Sequence, residues 1–507
     1  MADSFDAVVV GSGATGSWAA KELTEAGLSV ALLEAGPMLT GDEPAASRDA
    51  DPRRQAIQSR CYAFDERTAH LFVDDLENPY TCPEDSPFEW VRGRQVGGRL
   101  HTWGRVAVRM SDGELKAASR DGVGVDWPIS YADLAPYYER VERFMRVCGE
   151  PEHLAHLPDG AFLDPPPMVA GERDFKAAVE GRWPDRQVTS TRVTQCPPDA
   201  MLAAARQTDR LTLCPDTIAS RVVTDPRTGK ATGVDFVDRL TGSEGEVAAR
   251  VVVLCASAIE STRLLLNSST PDHPDGLANS SGVLGHYLMD HNYGVGLDGR
   301  VPDGLRGGAA PASNGLQMGF GEGAGDRVDF VRGYGVELGV MTMGARFPRL
   351  RSPRRRRTGW FWIRTLGEVL PEFENRVSLD PGRRDAWGIP VAHVECRYGE
   401  NDRKMAVDQL RTLREMVDEA GWQVEMVSAD LVPPGLSAHE MGTARMGSDP
   451  ADSVLNPYNQ SWDVENLFVT DGSCFPSGGF QNPTLTMMAL TVRACEHLVE
   501  KLRAGDL

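Results

Sequence analysis

At the start of the chain, the hydrophobic pattern predicts a strand, a helix and a second strand. Residues 7–10 form a continuous apolar run that ends in the sequence Gly-Ser-Gly-Ala-Thr-Gly at 11–16. Apolar residues then recur at helical spacing as far as Gly27, and a second apolar run spans 29–33. A glycine loop between a strand and a helix is typical of dinucleotide sites, because its glycines let the backbone approach a pyrophosphate.

Glu34 ends the second strand, the one that follows the glycine loop and its helix. A carboxylate at this position can accept hydrogen bonds from the ribose hydroxyls of a dinucleotide, and it disfavours NADP by repelling the 2′-phosphate. The motif does not distinguish NAD from FAD, and a glycine turn without a ligand is the alternative. The residues expected to contact the cofactor here are Gly11, Ser12, Gly13, Ala14, Thr15, Gly16, Glu34 and Ala35.

A second glycine-rich segment spans 90–104 and contains the pair Gly97-Gly98. The polar and aromatic residues around this pair are Arg94, Arg99, His101 and Trp103. We interpret the segment as backbone folded tightly against a large planar or anionic group. The alternative is an ordinary glycine loop.

Other patterns along the chain predict the elements that connect these segments. They are loops with short helices at 37–90, a helix from Ser130 to 147, loops at 150–200, hairpins between 211 and 253, and a strand and helix at 251–266. Near the end, a strand at 466–470 delivers Asp471 to a glycine turn. A long helix then follows Asn482-Pro-Thr, and its N-terminus can stabilise negative charge.

Residues 296–438 differ from the rest of the chain. They combine glycine-rich loops with strand-like runs such as 336–343 and 360–364, and a helix at 402–420. This pattern predicts an antiparallel sheet with helices on one face. The chain is therefore predicted to be an α/β protein with two domains. A nucleotide-binding domain would comprise 1–125, 201–295 and 439–507, and a discontinuous substrate-binding domain would comprise 126–200 and 296–438.

Two residues far from the glycine loop, His439 and Asn482, are candidates for catalysis. The unperturbed pKa of His, roughly 6.5, suits a base that works near neutral pH. Asn has no usable pKa and can only hold an oxygen through hydrogen bonds. Since a lone His is more often a satisfied surface or core residue, this hypothesis depends on the rest of the chain.

Composition narrows the possible partners. The 507 residues are enough for two domains with large cores, and a net charge of −20 argues against nucleic acid as a partner. Nine cysteines without a Cys-x-x-Cys pair indicate reduced thiols and a cytoplasmic location. We expect no export and no membrane span, because the N-terminus has no signal-like region and no apolar run is long enough to cross a bilayer. The arginine run at 354–357 is interpreted as a solvated loop or a contact to another subunit.

Taken in order, these segments resemble the glucose–methanol–choline (GMC) family of FAD oxidoreductases. The blocks that carry the resemblance are the glycine loop with Glu34, Gly97-Gly98 with Trp103, 256–261 with Arg263, 285–291, 439–447, Asp471-Gly472 and 482–484. The resemblance implies a Rossmann-like FAD domain joined to a discontinuous substrate domain. The further FAD contacts that it implies are Arg94, Gly97, Gly98, His101, Thr102, Trp103, Gly104, Val222, Ala256, Asp471, Gly472, Asn482 and Thr484, and no metal is expected.

The pairing of His439 with Asn482, rather than with a second His, is similar to the pyranose-oxidase branch and its bacterial glycoside oxidases. This implies oxidation of a sugar secondary alcohol, at C3 or C2 of a pyranose or glycoside (C-glycosides included). His439 would take the hydroxyl proton as hydride passes to flavin N5, and O2 or a quinone would reoxidise the flavin. Fungal members attach FAD to a His at the position of Thr102, with His101 one residue early, so we expect dissociable FAD here.

Three alternatives remain open from the sequence. A GMC member that acts on a non-sugar alcohol, such as an alcohol, choline or sterol oxidoreductase or a flavin-containing lyase, would share every block. An NAD dehydrogenase would share the glycine loop. A non-catalytic interaction or nucleic-acid protein would depend on the arginine run at 354–357. The sequence gives no indication of the oligomeric state.

Overall fold

The computed structural model of this chain describes residues 4–43, 51–302, 304–305, 316–320, 329–343 and 358–507. The arginine run at 354–357 lies outside these described residues, as do the glycines at 307–308. Within them, the α-helices are α1 (Ala14–Glu25), α2 (Asp112–Leu115), α3 (Ala118–Asp121), α4 (Tyr131–Met145), α5 (Ala170–Arg182), α6 (Ala200–Arg206), α7 (Ala258–Asn267), α8 (Glu400–Glu419) and α9 (Thr484–Ala504).

The strands form two large sheets and two small ones in the described ranges. Those of the first half are β1 (Phe5–Val10), β2 (Val30–Leu33), β3 (Val147–Cys148), β4 (Thr189–Ser190), β5 (Val193–Thr194), β6 (Leu211–Cys214), β7 (Thr217–Thr224), β8 (Ala231–Asp238) and β9 (Glu244–Leu254). The later strands are β10 (His291–Arg300), β11 (Leu316–Phe320), β12 (Tyr334–Thr342), β13 (Gly359–Glu368), β14 (Arg376–Arg384), β15 (Pro390–Glu395), β16 (Gln423–Ser428) and β17 (Leu467–Val469).

The first large sheet has the strand order β6-β2-β1-β9-β8-β7, with β17 also paired to β9. β1 pairs in parallel with both β2 and β9, whereas β7 and β8 continue the sheet as antiparallel hairpins. Its centre is apolar on both faces: Val8 and Val10 belong to one buried cluster, and Ala7 and Val9 belong to the other. A strand that is buried on both faces has apolar residues at every position, which explains the continuous apolar run at residues 7–10.

The second large sheet is antiparallel, in the order β16-β10-β13-β12-β11-β4. Alternate residues of β12 and β13, such as Leu338 and Ile363, belong to a buried cluster that includes Met405 and Leu413 of α8. Their neighbours Glu337 and Arg364 stand on the other face because the side-chain period of a strand is two. The predicted antiparallel sheet with helices on one face is confirmed.

Most of the predicted elements are present, but the range 150–200, which was predicted as loops, also contains α5, β4 and β5. α5 (Ala170–Arg182) lies where loops were predicted, because its buried face is carried by few apolar residues, such as Phe175 and Val179. α7 begins at Ala258, three residues before Ser261, where the sequence predicts its start, and Ser257 before it has a left-handed φ of +85°. None of the helices in the described ranges is long and apolar enough to cross a bilayer. The two-domain boundaries given above stay a prediction.

Candidate active site

A cavity of about 890 Å³ lies where the two large sheets approach each other. Its wall includes the carboxyl ends of β1 and β2 on one side and residues of β12 and β13 on the other. The volume falls in the upper part of the range of about 300–1,000 Å³ that is usual for cofactor and ligand sites. Ligands of open α/β sheets bind at the carboxyl ends of the strands, which is where this cavity begins.

The glycine loop forms one end of the cavity, and its three glycines have different roles. A Cβ on Gly11, whose φ is +92°, would lie 2.5 Å from the Cys255 carbonyl oxygen, and one on Gly16 would lie 1.7 Å from the Gly11 oxygen. Both are therefore required by close packing. A Cβ on Gly13 would meet nothing within 4 Å, so Gly13 instead leaves open space above the first turn of α1. This cradle fits the diphosphate of a dinucleotide.

Glu34 follows β2 and faces the same loop. One of its carboxylate oxygens accepts hydrogen bonds from the Ser12 hydroxyl at 2.6 Å and the Ser12 amide at 3.0 Å, and the other accepts one from the Gly36 amide at 2.9 Å. Burial raises the pKa of this carboxyl, while these bonds and the charge of Arg94 oppose the shift. The oxygen that accepts from Gly36 has a second lone pair, so Glu34 can still accept a hydrogen bond from a ribose hydroxyl.

The Gly97-Gly98 segment packs directly on the glycine loop. The Gly97 amide donates to the Ser12 hydroxyl at 3.0 Å, and a Cβ on Gly98 would lie 3.0 Å from the Gly13 Cα. Thr102 lines the cavity. The His101 ring turns back on its own segment, where its Nε2 lies 3.1 Å from the Val96 carbonyl oxygen.

His439 is held in place through its backbone. The buried carboxylate of Asp290 accepts hydrogen bonds from the Gly435 amide at 2.7 Å, from the Ser437 hydroxyl and from the His439 amide at 3.0 Å. Ala438, immediately before His439, has a left-handed φ of +58°. A non-glycine residue persists in this conformation only where its surroundings determine it, and here Asp290 supplies three bonds to the same loop.

An ion pair joins the His439 loop to the Gly97-Gly98 segment. Arg99 lies 2.8 Å from the carboxylate of Glu440, which is buried, and it also donates to the Ala438 carbonyl at 2.9 Å. Residues on both sides of His439 are thus tied to the segment that follows the glycine pair. The two segments are distant in the chain, since the sequence separation between Arg99 and Glu440 is 341.

The ring of His439 forms a hydrogen-bonded chain with a second histidine. His439 Nδ1 lies 2.8 Å from His291 Nδ1, and His291 Nε2 lies 2.9 Å from the Gly479 carbonyl oxygen. A carbonyl only accepts, so His291 carries its proton on Nε2 and accepts at Nδ1. His439 must then carry its proton on Nδ1, which leaves the lone pair on Nε2. The network therefore assigns the tautomer that a base requires.

Burial keeps both imidazoles neutral. It lowers the pKa of His291 to about 4. The pKa of His439 lies well below its usual value because of burial first, and then because of the neighbouring His291 and Arg99. At neutral pH the pair is uncharged, so His439 Nε2 is free to accept a proton.

Asn482 lies beside this lone pair, two residues before α9. Its Nδ2 is 3.4 Å from His439 Nε2, so the donor end of the amide faces the bare nitrogen. Its Oδ1 is buried and has no hydrogen-bond partner among the described residues. Near neutral pH, the Asn482 Nδ2 donor and the His439 Nε2 acceptor therefore lie side by side in the cavity wall. This is the arrangement that can hold a hydroxyl group while its proton is removed.

Most of the predicted site residues line this cavity. Those that do so are Gly11, Ser12, Gly13, Ala14, Thr15, Glu34, Ala35, Arg94, Gly98, Thr102, Trp103, Gly104, Ala256, His439, Asp471, Gly472, Asn482 and Thr484. Gly16, Gly97, His101 and Val222 are absent from its lining. Gly16 and Gly97 act through packing and a backbone bond, as described above. Val222 is buried within β7, whose first residues, Thr217 to Ala219, line the cavity instead.

Three residues at this site had no role predicted from the sequence: Asp290, His291 and Glu337. Asp290 and His291 belong to a block that carried the family resemblance, but no local pattern shows that they reach the His439 loop. Glu337 did leave a signal, since it interrupts an apolar run between Val336 and Leu338. A charged residue at that spacing indicates a strand whose second face is not core.

Comparison with known proteins now identifies the family. Two family models, both described as GMC oxidoreductase, match residues 5–293 and 371–491. The chain belongs to the GMC oxidoreductase family. The predicted family, the α/β fold and FAD as the cofactor are thereby confirmed, and the cradle of Gly13 fits that cofactor. This GMC chain is an FAD-dependent oxidoreductase that acts on CH–OH groups.

Its relatives carry different substrate names. The chain is 32% identical to 2-methyl-1,2-propanediol dehydrogenase of Mycolicibacterium austroafricanum, over 98% of this chain and 95% of that protein. It is 28% identical to the fructose dehydrogenase large subunit of Gluconobacter japonicus, over 99% of both. It is 27% identical to C-glycoside 3-oxidase of Arthrobacter globiformis, over 99% of this chain and 96% of that protein. The last is a relative of the expected branch.

A solved structure shares the fold of this GMC oxidoreductase. Pyridoxine 4-oxidase from Mesorbium loti superposes with a TM-score of 0.66 at 20% identity, over 97% of this chain and 98% of that one. An agreement over nearly the whole of both chains shows that the two large sheets have the family arrangement.

Proposed function

We propose that this GMC oxidoreductase converts a secondary alcohol of a pyranose or glycoside, C-glycosides included, to a ketone at C3 or C2. The observation that carries the chemistry is the 3.4 Å approach of Asn482 Nδ2 to His439 Nε2 at the cavity wall. The sugar class is supported by the names of the fructose and C-glycoside relatives. O2 or a quinone is proposed as the final electron acceptor.

Each residue has a distinct task in this proposal. The Nδ2 donor of Asn482 holds the oxygen of the substrate, and His439 Nε2 accepts the hydroxyl proton. His291 accepts the hydrogen bond from His439 Nδ1 and so keeps the proton away from Nε2. When bound, FAD supplies the acceptor for the hydride that leaves the carbon. The proton therefore stays on His439 and the electron pair leaves with the hydride.

The FAD contacts are also proposals, and they follow from the lining of the cavity. Gly13 and the first turn of α1 would receive the diphosphate, and Glu34 would receive the ribose. The wall near β7 that would adjoin the adenine consists of Thr217, Ile218 and Ala219. Thr102 lines the cavity where covalent members carry a His, so we propose that FAD is held without a covalent bond.

An anaerobic reduction assay tests the function. The FAD-loaded protein is mixed with monosaccharides, O-glycosides, C-glycosides and 1,2-diols, and loss of the yellow colour is followed in time. We expect bleaching by sugars or glycosides, and a ketone at C3 or C2 in the isolated product. Bleaching by small diols alone would transfer the assignment to the second candidate, oxidation of a non-sugar alcohol, which the 32% identity to a propanediol dehydrogenase favours.

A location in a reducing compartment, the cytoplasm, is proposed from the cysteines. All nine are free thiols in the structure, and six of them are buried. Burial raises the pKa of buried thiols such as Cys255 and Cys474, which makes them unreactive structural residues. Fractionation of the source cells would test the location, and recovery of the protein outside the cell would contradict it.

A further inference from the structure

The sheet that carries α8 on one face presents a polar face to the cavity on the other. Glu337 of β12 and Arg364 of β13 are directly opposed in register, and Trp362 of β13 is on the same face. All three line the cavity. Strand alternation places their neighbours Val336, Leu338 and Ile363 in the core, so the polar face is fixed by the fold and not by a mobile loop.

Arg364 does not neutralise the carboxylate opposite it. Its guanidinium donates instead to the Asp298 carboxylate, to the Leu297 carbonyl at 3.1 Å and to the Ile363 carbonyl at 2.9 Å. Arg99, another cation of the cavity, pairs with Glu440 at 2.8 Å. Within the described ranges, no cation forms a salt bridge with Glu337.

One oxygen of Glu337 is left without any partner. Its Oε1 is buried and accepts no hydrogen bond from the described residues. Burial raises the pKa of this carboxyl to about 7, and the neighbouring Asn482 side chain opposes the shift. A buried carboxyl oxygen without a cation or a donor is costly, so a group from outside the protein that supplies either would be bound favourably.

The contact with Asn482 puts this carboxyl next to the reacting centre. The Asn482 side chain is close enough to Glu337 to influence the pKa of its carboxyl, and its Nδ2 lies 3.4 Å from His439 Nε2. A substrate whose hydroxyl sits between Asn482 and His439 therefore has its neighbouring substituent within reach of Glu337.

We propose that Glu337 is a specificity-determining residue that accepts a hydrogen bond from a donor on the substrate, beside the carbon that is oxidised. It favours an ammonium over a hydroxyl, and a hydroxyl over a carboxylate. The preferred class is thus amino sugars or amino alcohols, followed by neutral sugars, with sugar acids disfavoured. This inference rests on the proposed function, because it needs a substrate alcohol held by His439 and Asn482.

The test uses three pyranoses that differ in charge: methyl glucoside is neutral, glucosamine carries an ammonium at C2 beside the C3 hydroxyl, and glucuronic acid carries a carboxylate at C6. Anaerobic flavin reduction gives a rate constant and an apparent Kd for each with the FAD-loaded wild type. We expect the apparent Kd to increase in the order glucosamine, methyl glucoside, glucuronic acid. A wild type that binds glucuronic acid more tightly than glucosamine would overturn the inference without any variant.

Glu337→Gln removes the charge and keeps the shape and the hydrogen-bonding end. We expect its preference for glucosamine over methyl glucoside to fall by about 10- to 100-fold, the range of a charge-assisted hydrogen bond. Glu425→Gln, the same change on an exposed residue of β16 outside the cavity, is the control and leaves the preference unaltered. FAD content and thermal midpoint of both variants verify the fold.

The outcomes separate the two proposals. Flavin reduction with the same glucosamine preference in wild type and Glu337→Gln overturns the role of Glu337 and leaves the sugar oxidase assignment intact. Absence of reduction by all sugars, while a diol bleaches the flavin, overturns the proposed function and this inference with it.

Discussion

Replacement of His291 tests whether the second histidine sets the chemistry of the first. His291→Leu removes the acceptor for His439 Nδ1, which lies 2.8 Å away, as well as the donor to the Gly479 carbonyl. The tautomer of His439 with its proton on Nε2 then becomes accessible, and that form cannot accept a proton from the substrate. In addition, His439 becomes an imidazolium during the reaction, and its hydrogen bond to His291 is then charge-assisted and stronger than in the resting state. His291→Leu removes this stabilisation of the transition state.

The magnitude follows from the cost of a buried donor without an acceptor. That cost is about 1–3 kcal/mol, which corresponds to a rate that is lower by about 5- to 150-fold. His439→Ala removes the base itself and is expected to cost roughly 10²–10⁴-fold. His291→Gln keeps both bonds, because its Oε1 can accept from His439 and its Nε2 can donate to Gly479. The expected order of rates is therefore wild type, His291→Gln, His291→Leu and His439→Ala.

The assay is the anaerobic rate of flavin reduction at saturating substrate, with bound FAD measured for each variant. A second measurement is the pH dependence. The proximity of His291 is one of the causes that lower the pKa of His439, so His291→Gln should move the acidic limb of the profile to higher pH. His497→Gln is the control, because the His497 ring stacks on Tyr458 outside the cavity. This variant should alter neither the rate of flavin reduction nor its pH dependence. Reduction by His291→Leu at the wild-type rate would refute the tautomer argument.

Four further outcomes are expected. Gly13→Ala should fold but lose FAD, because its Cβ would occupy the open space where the diphosphate would lie. Gly16→Ala should fail to fold, because its Cβ would lie 1.7 Å from a backbone oxygen. Circular dichroism measures the folding of each variant, and flavin content measures its FAD binding. Asn482→Ala should slow reduction at a cost of about 1–3 kcal/mol, measured by stopped flow. Acid precipitation should leave the flavin in the supernatant. As the pH falls from about 6.5 to 4, His291 is protonated in the unfolded chain but not in the folded one. The free energy of unfolding should therefore decrease by up to about 3 kcal/mol in the wild type and by less in His291→Gln. Chemical denaturation at several pH values measures both.

The fold was accessible from the sequence where one local pattern determines both the element and its surroundings. Residues 7–16 illustrate this, since an apolar run buried on both faces and a glycine turn before a helix leave few alternatives. The strand β12 was likewise indicated by the apolar run at 336–343, but the face on which Glu337 lies was not predicted. α5 was missed because few of its residues are apolar, and its burial depends on a partner sheet that is distant in sequence.

The candidate site was accessible only in part. His439 and Asn482 could be selected as residue types, because a base and an oxygen-holding amide have few substitutes. The residues that hold and orient them could not be selected from the sequence. Asp290 and His291 act on His439 across sequence separations of 149 and 148, and no pattern near them refers to that loop. The orientation of His101 away from the cavity was also beyond the sequence, since it depends on one bond to Val96.

The same distinction explains why the chemistry and the substrate of this protein need separate experiments. The proton-accepting lone pair is fixed by a chain of hydrogen bonds from Gly479 through His291 to His439, and every partner in this chain belongs to the protein. The carboxylate of Glu337, in contrast, stands on a sheet face where Arg364 is already paired with Asp298. A change there removes no atom of the base and is expected to alter which alcohol is held against it. Variation among relatives that oxidise diols, fructose or glycosides is therefore expected on this sheet face, and not in the histidine chain.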